Sequence, residues 1–482
     1  MQNARLPGWV IAALFVPVAA IALGLNMSHT PPGEVPDAIV HLDRAVEVSQ
    51  GGFIGRVHGG LAGDYLPAGM AHFDRMVNAE RLSRTYSAHD AEQLAGIRWE
   101  YGHTFVPFGA TTEYPPVAYL PGAAGVAIAR LFSDRILVAY YALEVANAMT
   151  FIGLVAWALL LFRGLTALIM AGVALLPMTI ALAGSPSTDG VVIGASALAC
   201  AIMYRAFLRQ TSVSADRSMI AGNPTGTANV RAEGAAPWPH GLEWAALVLF
   251  AVVAVTKPPY FPLLALAGLP QIARHEWGGF VKRVLPLMIV VGLMVAAWYL
   301  GGARFQGAFN VVKVDGVSPS RQLHYVLHHP GQDVSVIGRT VITGVKSYWF
   351  TFIGVLGWLT VGLPRWTYKA LTAGLLVLVL VRLVNARISR AAGALAVVTV
   401  AASILLVFAT LYADWTPVGA PAVAGIQGRY FLPLVPALVA GTGWEVTRIR
   451  ATFVWRLTGV VTWLGVATVS MLAATVGLSQ GF

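Results

Sequence analysis

The sequence predicts an all-α polytopic membrane protein with about eleven transmembrane helices and a long first external loop carrying surface helices. Three observations carry this reading. Of 482 residues, 57% are hydrophobic and only 11% are charged, against roughly 25% charged in soluble domains. Apolar stretches of bilayer length, roughly 17–25 residues, recur along the chain. After the first of them, Trp9 to Leu25, the chain stays polar for about ninety residues, far longer than an ordinary connection.

The N-terminal run is long, and Asn26-Met27-Ser28-His29 is a poor small-residue cleavage site, so it reads as a retained span. The spans then follow at 8–25, 136–161, 165–183, 187–208, 241–256, 258–272, 284–301, 366–384, 392–412, 430–447 and 457–477. Joints holding Arg5, Arg163, Arg205, Arg209, Arg274, Lys282, Arg283, Arg387, Arg390, Arg448, Arg450 and Arg456 read as cytoplasmic. The joint 413–427 on the other side has no Lys or Arg. The positive-inside rule therefore predicts a cytoplasmic N-terminus and an external first loop. Residues 115–132 are apolar but begin with Pro115-Pro116 and include Pro121 and Gly122. Counting them as a span would move Arg205 and Arg209 outside, so a surface helix is expected there.

The net charge of +10 calls for no nucleic acid, because the basic residues gather in the joints between spans. Cys200 is the single cysteine, which excludes an intrachain disulfide. Residues 211–240 are rich in Ser, Gly, Ala and Pro and read as a flexible cytoplasmic linker. It separates an N-terminal module, 1–210, with its external loop at 26–135, from a C-terminal module, 241–482, with an external segment at 302–365. No short-period repeat and no convincing inverted repeat is found.

Five polar clusters fall at the external boundary of this topology. Asp37, His41, Asp43 and Arg44 lie in one string, with Asp37 and His41 four apart and so on one helical face. A carboxylate here suits a general base, with its neighbours orienting it; solvated charge on a surface helix explains the same spacing. Glu113-Tyr114-Pro115-Pro116 starts a new helix, and tyrosine suits a lipid–water boundary, with Tyr114 a candidate ligand contact. Asp189 follows Ser185-Pro186-Ser187-Thr188, either as a polar contact or beside a helix cap. Lys257-Pro258-Pro259-Tyr260 puts an ammonium at membrane depth, where it faces a cavity, a partner such as phosphate, or snorkels. Gln427-Gly428-Arg429-Tyr430 offers a guanidinium fork for phosphate, with a structural pairing to Asp414 or another acid the competing account.

These strings stand in a recognisable order with Leu176–Thr179, Gln322–Pro330, Gly357-Trp358 and Leu363-Pro364. Together they resemble bacterial domain-of-unknown-function family 2142, whose members look like membrane glycosyltransferases of the GT-C superfamily. The likeness covers nearly the whole chain outside the linker. It implies a multi-pass protein of the bacterial inner membrane with an extracytoplasmic active site. It further implies a sugar transferase fed by a polyprenyl-phosphate donor, with a catalytic acid at the position of Asp37. Two departures stand out: Ala38 replaces the family's usual Glu after the aspartate, and Glu144 stands where an Arg is usual, three residues before Asn147.

The expected chemistry is a single inverting displacement. Asp37 acts as base, Arg429 and Lys257 hold the donor phosphate, and His41, Arg44, Asp43, Tyr114, Asp189, Tyr260 and Gln427 bind or orient substrate. The expected acceptor is an extracytoplasmic glycan or lipid-linked molecule. No cofactor is required, and His324, His328 and His329 lack a carboxylate neighbour. The alternatives are a lipid-linked sugar transporter or flippase and a non-catalytic assembly subunit. A transporter calls for polar residues through the membrane depth, whereas the clusters here fall on one side.

Overall fold

The computed structural model describes residues 7–83, 88–221, 240–302, 315–387 and 389–441, with 444–445 and 465. The expected span 457–477, and most of the linker and part of the 302–365 segment, lie outside the described residues.

Six described helices are long and apolar enough to cross a membrane. They are α1 (Gly8–His29), α6 (Ile136–Leu161), the 189–211 portion of α9 (Asp189–Ala221), α12 (Trp277–Gly302), α15 (Arg365–Asn385) and α16 (Arg390–Asp414). A seventh crossing is available if α7 (Gly164–Ala174) and α8 (Pro177–Ala183), bent by 67° at their junction, count as one broken span. Pro177 causes the break: it has no N–H to continue α7, and it holds Leu176 in an extended conformation, ψ 143°. The described helices thus supply six or seven of the eleven crossings expected.

The remaining expected spans are short or irregular. Helix α10 (His240–Thr256) has 17 residues. After it, Pro258–Gly268 winds as a 3₁₀ segment that ends in the short α11 (Leu269–Ala273). Pro258, Pro259 and Pro262 remove three backbone donors, which an α-helical ladder would need. A similar 3₁₀ segment, Gly428–Leu434, leads into α17 (Val435–Gly441). Between α12 and α15 the chain forms α13 (Pro319–His328), α14 (Pro330–Ile353) and a two-stranded hairpin, β4 (Val355–Leu356) with β5 (Val361–Gly362). Helix α9 also runs past Thr211 to Ala221, so the first part of the expected linker is helical.

The long polar stretch after α1 folds on itself. It contains α2 (Ala38–Ser49), a β1–β2–β3 sheet, α3 (Ala68–Ser83), α4 (Ala88–Gly96) and α5 (Leu120–Arg130). The strands are β1 (Arg56–His58), β2 (Leu61–Pro67) and β3 (His103–Pro107), all antiparallel, with Tyr65 opposite Phe105. These elements share their own apolar core, which includes Leu42, Val46, Leu66, Phe73, Val106, Tyr119, Tyr140 and Leu143. Helix α5 has 11 residues, about 16 Å of rise and half a bilayer. It packs on α6 and α2.

One end of the bundle collects the polar strings. A side chain at Gly8 would strike the carbonyls of Leu159 and Phe162, so α1 starts where α6 ends. At the opposite end the Gly33 N–H reaches the Tyr140 hydroxyl. Asn147 donates to the carbonyls of Ser185 and Ser187, so the start of α9 lies at that same end. The C-terminus of α10 joins it through an ion pair between Lys257 and Asp189.

Candidate functional site

The site is built from four segments that are distant in the chain. Asp37 occupies the N-cap position of α2 in the left-handed region, φ 63°, makes no capping hydrogen bond and is exposed. Aspartate tolerates this conformation better than most residues, and such backbone outliers cluster at functional sites. One turn later the His41 N–H donates to the Asp37 carbonyl at 3.0 Å. The His41 ring is buried, lies 2.7 Å from the Tyr119 hydroxyl through Nδ1 and stacks beside Tyr114.

The other three segments bring Asp189, Lys257 and Arg429. Asp189 opens α9, and its N–H is held by the Ser187 hydroxyl at 3.0 Å. Lys257 ends α10 with its N–H on the Val253 carbonyl, and the prolines that follow keep it extended. Arg429 begins the second 3₁₀ segment, which three contacts position. The Tyr260 hydroxyl donates to the Tyr430 carbonyl at 2.9 Å, and the Ser196 hydroxyl to the Pro433 carbonyl at 2.6 Å. The Gly428 N–H donates to the Thr351 hydroxyl at 2.7 Å. Gly428 admits no side chain, because a Cβ there would stand 1.8 Å from the Tyr348 carbonyl of α14.

His41 is the common neighbour. Asp37, Asp189, Lys257 and Arg429 all act on it electrostatically. Burial dominates and pushes the imidazole down to about 4, against the pull of the two carboxylates. At neutral pH it is an uncharged ring. Burial also raises the Tyr114 and Tyr119 phenols above their ordinary value, leaving both as hydroxyl donors. The four charges sum to zero: two carboxylates and two cations. The arrangement offers an exposed carboxylate in the field of two mostly buried cations, where charge interactions are stronger than in open water.

Of the residues singled out in the sequence, Asp37, His41, Tyr114, Asp189, Lys257, Tyr260 and Arg429 come together. Gln427 stands two residues from Arg429, with a buried Oε1 that has no hydrogen-bond partner, like the Arg429 Nε. Asp43 and Arg44, expected to orient substrate, do not join the site. Arg44 is fully buried, paired with Glu47, and donates to the Phe53 and Tyr114 carbonyls at 3.1 and 2.9 Å. Asp43 is buried against Asp74 of α3. Helix α2 is buried along most of its length, so both side chains end among neighbours within the polar stretch.

The acids whose charge bears on Arg429 are Asp189 and Asp37, not Asp414, whose charge bears instead on Glu113, which burial pushes up to about 7. Glu144 meets Tyr140, and Asn147 holds the turn before Asp189, so both support loops of the site. Sequence reasoning passed over Tyr119 and Tyr430. Tyr119 stands three residues after Pro116, in the stretch read as a surface helix, and Tyr430 directly follows Arg429 in the string given for that arginine.

Comparison with known proteins gives one match. The family model DUF2142, described as a predicted membrane protein, matches residues 20–222 and 211–438. No curated protein and no solved structure matches the chain.

Proposed function

The chain belongs to that family of predicted membrane proteins, and from this premise we propose that it is an integral-membrane glycosyltransferase. It moves a sugar from a polyprenyl-phosphate donor to an extracytoplasmic glycan or lipid-linked acceptor. The observation that carries the reading is the gathering of Asp37, Asp189, Lys257 and Arg429 around the neutral ring of His41, at the mouth of membrane-spanning helices. An amphiphilic donor, with a lipid tail and a phosphate head, matches a cation pair set beside apolar helices.

The step follows from the charges. The Asp37 carboxylate takes the proton of an acceptor hydroxyl, and the freed oxygen forms a bond to C1 of the sugar. The bond from C1 to the phosphate oxygen breaks, and its electron pair leaves with the polyprenyl phosphate. Arg429 and Lys257 stabilise the growing negative charge there, a preorganised effect strongest where water is excluded. One displacement inverts the anomeric carbon. Asp189 holds Lys257 in position until the phosphate competes for it. His41, uncharged and tied to Tyr119, orients substrate without adding a third cation.

The reading is tested with the purified full chain in lipid nanodiscs, a panel of synthetic short-chain polyprenyl-phosphate sugars and an oligosaccharide acceptor panel. No ion gradient or nucleotide is present. The expected result is release of free polyprenyl phosphate by mass spectrometry, slowed about 10²-fold or more by Asp37→Asn. Wild-type release by that variant removes Asp37 as base. A wild-type chain that neither consumes nor binds any donor removes the transferase reading.

A further inference from the structure

Helix α13 carries His324 and His328 near its C-terminus, with His329 just beyond it, on a part of the molecule that the proposed reaction does not use. The segment is anchored at its buried Gln322, whose Oε1 accepts the Gly419 N–H at 3.1 Å. His324 and His328 stand four apart on its exposed side, and their rings lie 4.0 Å apart, centroid to centroid. Four apart on a helix is the spacing that lets two imidazoles reach one ion. Two nitrogens bound at about 2.0–2.1 Å to a tetrahedral ion stand roughly 3.3 Å apart, a bite that rings this close can provide.

A second observation concerns the proton. His328 Nδ1 lies 2.7 Å from the His324 carbonyl. A carbonyl only accepts, so Nδ1 carries the hydrogen and the Nε2 lone pair is left for a ligand. This is the outer-sphere arrangement that fixes the tautomer of metal-binding histidines. His329 has the same kind of bond, 2.9 Å to the Tyr325 carbonyl, but its ring is stacked on Tyr325 at 4.4 Å. Its ring thus stands beside Tyr325 and not beside the His324–His328 pair.

We propose that His324 and His328 form a two-histidine site for a divalent transition ion of the zinc class. Imidazole suits zinc, copper and nickel over magnesium or calcium. Among the described residues no third His, Cys, Asp or Glu completes the set. The remaining positions are thus open to water or to an anionic oxygen, as in sites that keep exchangeable ligands. Arg321, exposed one turn earlier, is the nearest opposing charge on the helix; in water its repulsion is weak. The inference is independent of the transferase reading.

The experiment uses the full chain, purified with its affinity tag removed, and ZnCl2 as the probe in isothermal titration calorimetry. Wild type is expected to bind one ion, and His324→Ala or His328→Ala to weaken that binding at least tenfold. His329→Ala is expected to leave it unchanged. Copper(II) electron paramagnetic resonance supplies a second readout, with coupling to two imidazole nitrogens lost to one in either single variant. Equal loss on removing His329, or wild-type affinity in the His324 or His328 variant, overturns the site. Both residues are exposed, so gel-filtration profiles of the variants are expected to match wild type.

Discussion

Helix α2 carries two sets of ionisable groups within twelve residues, and they behave in opposite ways. Asp37 and His41 meet partners more than a hundred residues away, Asp189, Lys257 and Arg429. Asp43, Arg44 and Glu47 are buried, with Arg44 on Glu47 and on the Phe53 and Tyr114 carbonyls, and Asp43 against Asp74. The first set has an exposed carboxylate; the second is buried throughout. The difference teaches that a charged string does not announce its role. What separates the two sets is exposure and neighbourhood: one includes an exposed carboxylate in the field of Asp189, Lys257 and Arg429, and the other is buried within the polar stretch itself.

The largest effect expected from this contrast is on turnover. Asp37→Asn should lower donor consumption by about 10²–10⁴-fold while the melting temperature stays near wild type. Asparagine accepts the left-handed conformation at 37 as readily as aspartate, so the backbone has no new strain. A melting temperature that falls along with the rate would move Asp37 into the structural set. Next comes the buried set. Arg44→Met strips Glu47 of its partner and two carbonyls of their donor, with an expected loss of about 3–5 kcal/mol, read as a much lower melting temperature. An unaltered melt would break the comparison from the other side.

Smaller effects sharpen it. Arg429→Ala should weaken binding of a short prenyl phosphate by about 10–100-fold, the scale of one charge-assisted hydrogen-bonding group. Binding measured by calorimetry that ignores this change would separate Arg429 from the phosphate. The smallest effect is in pH. Burial raises Asp43 well above its ordinary value and Asp74 up to about 8. The folded state then holds protons that the unfolded chain releases near pH 4, so stability declines as pH rises from about 4 toward 8. Asp74→Asn removes that group from the linkage and should flatten the decline in melting temperature between pH 5 and 8. A slope identical to wild type would dismiss the pair as its source.

Much of the fold was legible in the sequence because a bilayer makes a simple demand. Backbone polar groups cannot be left open in lipid, so long apolar runs must be helices, and α1, α6, α12, α15 and α16 follow their hydropathy closely. Irregular segments were harder to see. Residues 258–272 and 430–447 have the apolar content of spans, yet proline density and close contacts wind 258–273 and 428–441 as 3₁₀ turns and short helices. Local composition does not report the neighbours that make such a backbone tolerable.

The same division holds at the site. Residue types and their order along the chain were enough to mark Asp37, His41, Asp189, Lys257 and Arg429, since ionisable groups beside apolar runs need a reason to be there. They could not divide Arg44 from His41, three residues apart on one helix. Both are buried, and the division lies in what surrounds each. It is Tyr119 and the charges of Asp37, Asp189, Lys257 and Arg429 for His41, and Glu47 with the Phe53 and Tyr114 carbonyls for Arg44. Only packing brings residues 37, 189, 257 and 429 into one field, because Coulomb interactions depend on distance in space and on the surrounding dielectric, and neither is written in sequence separation.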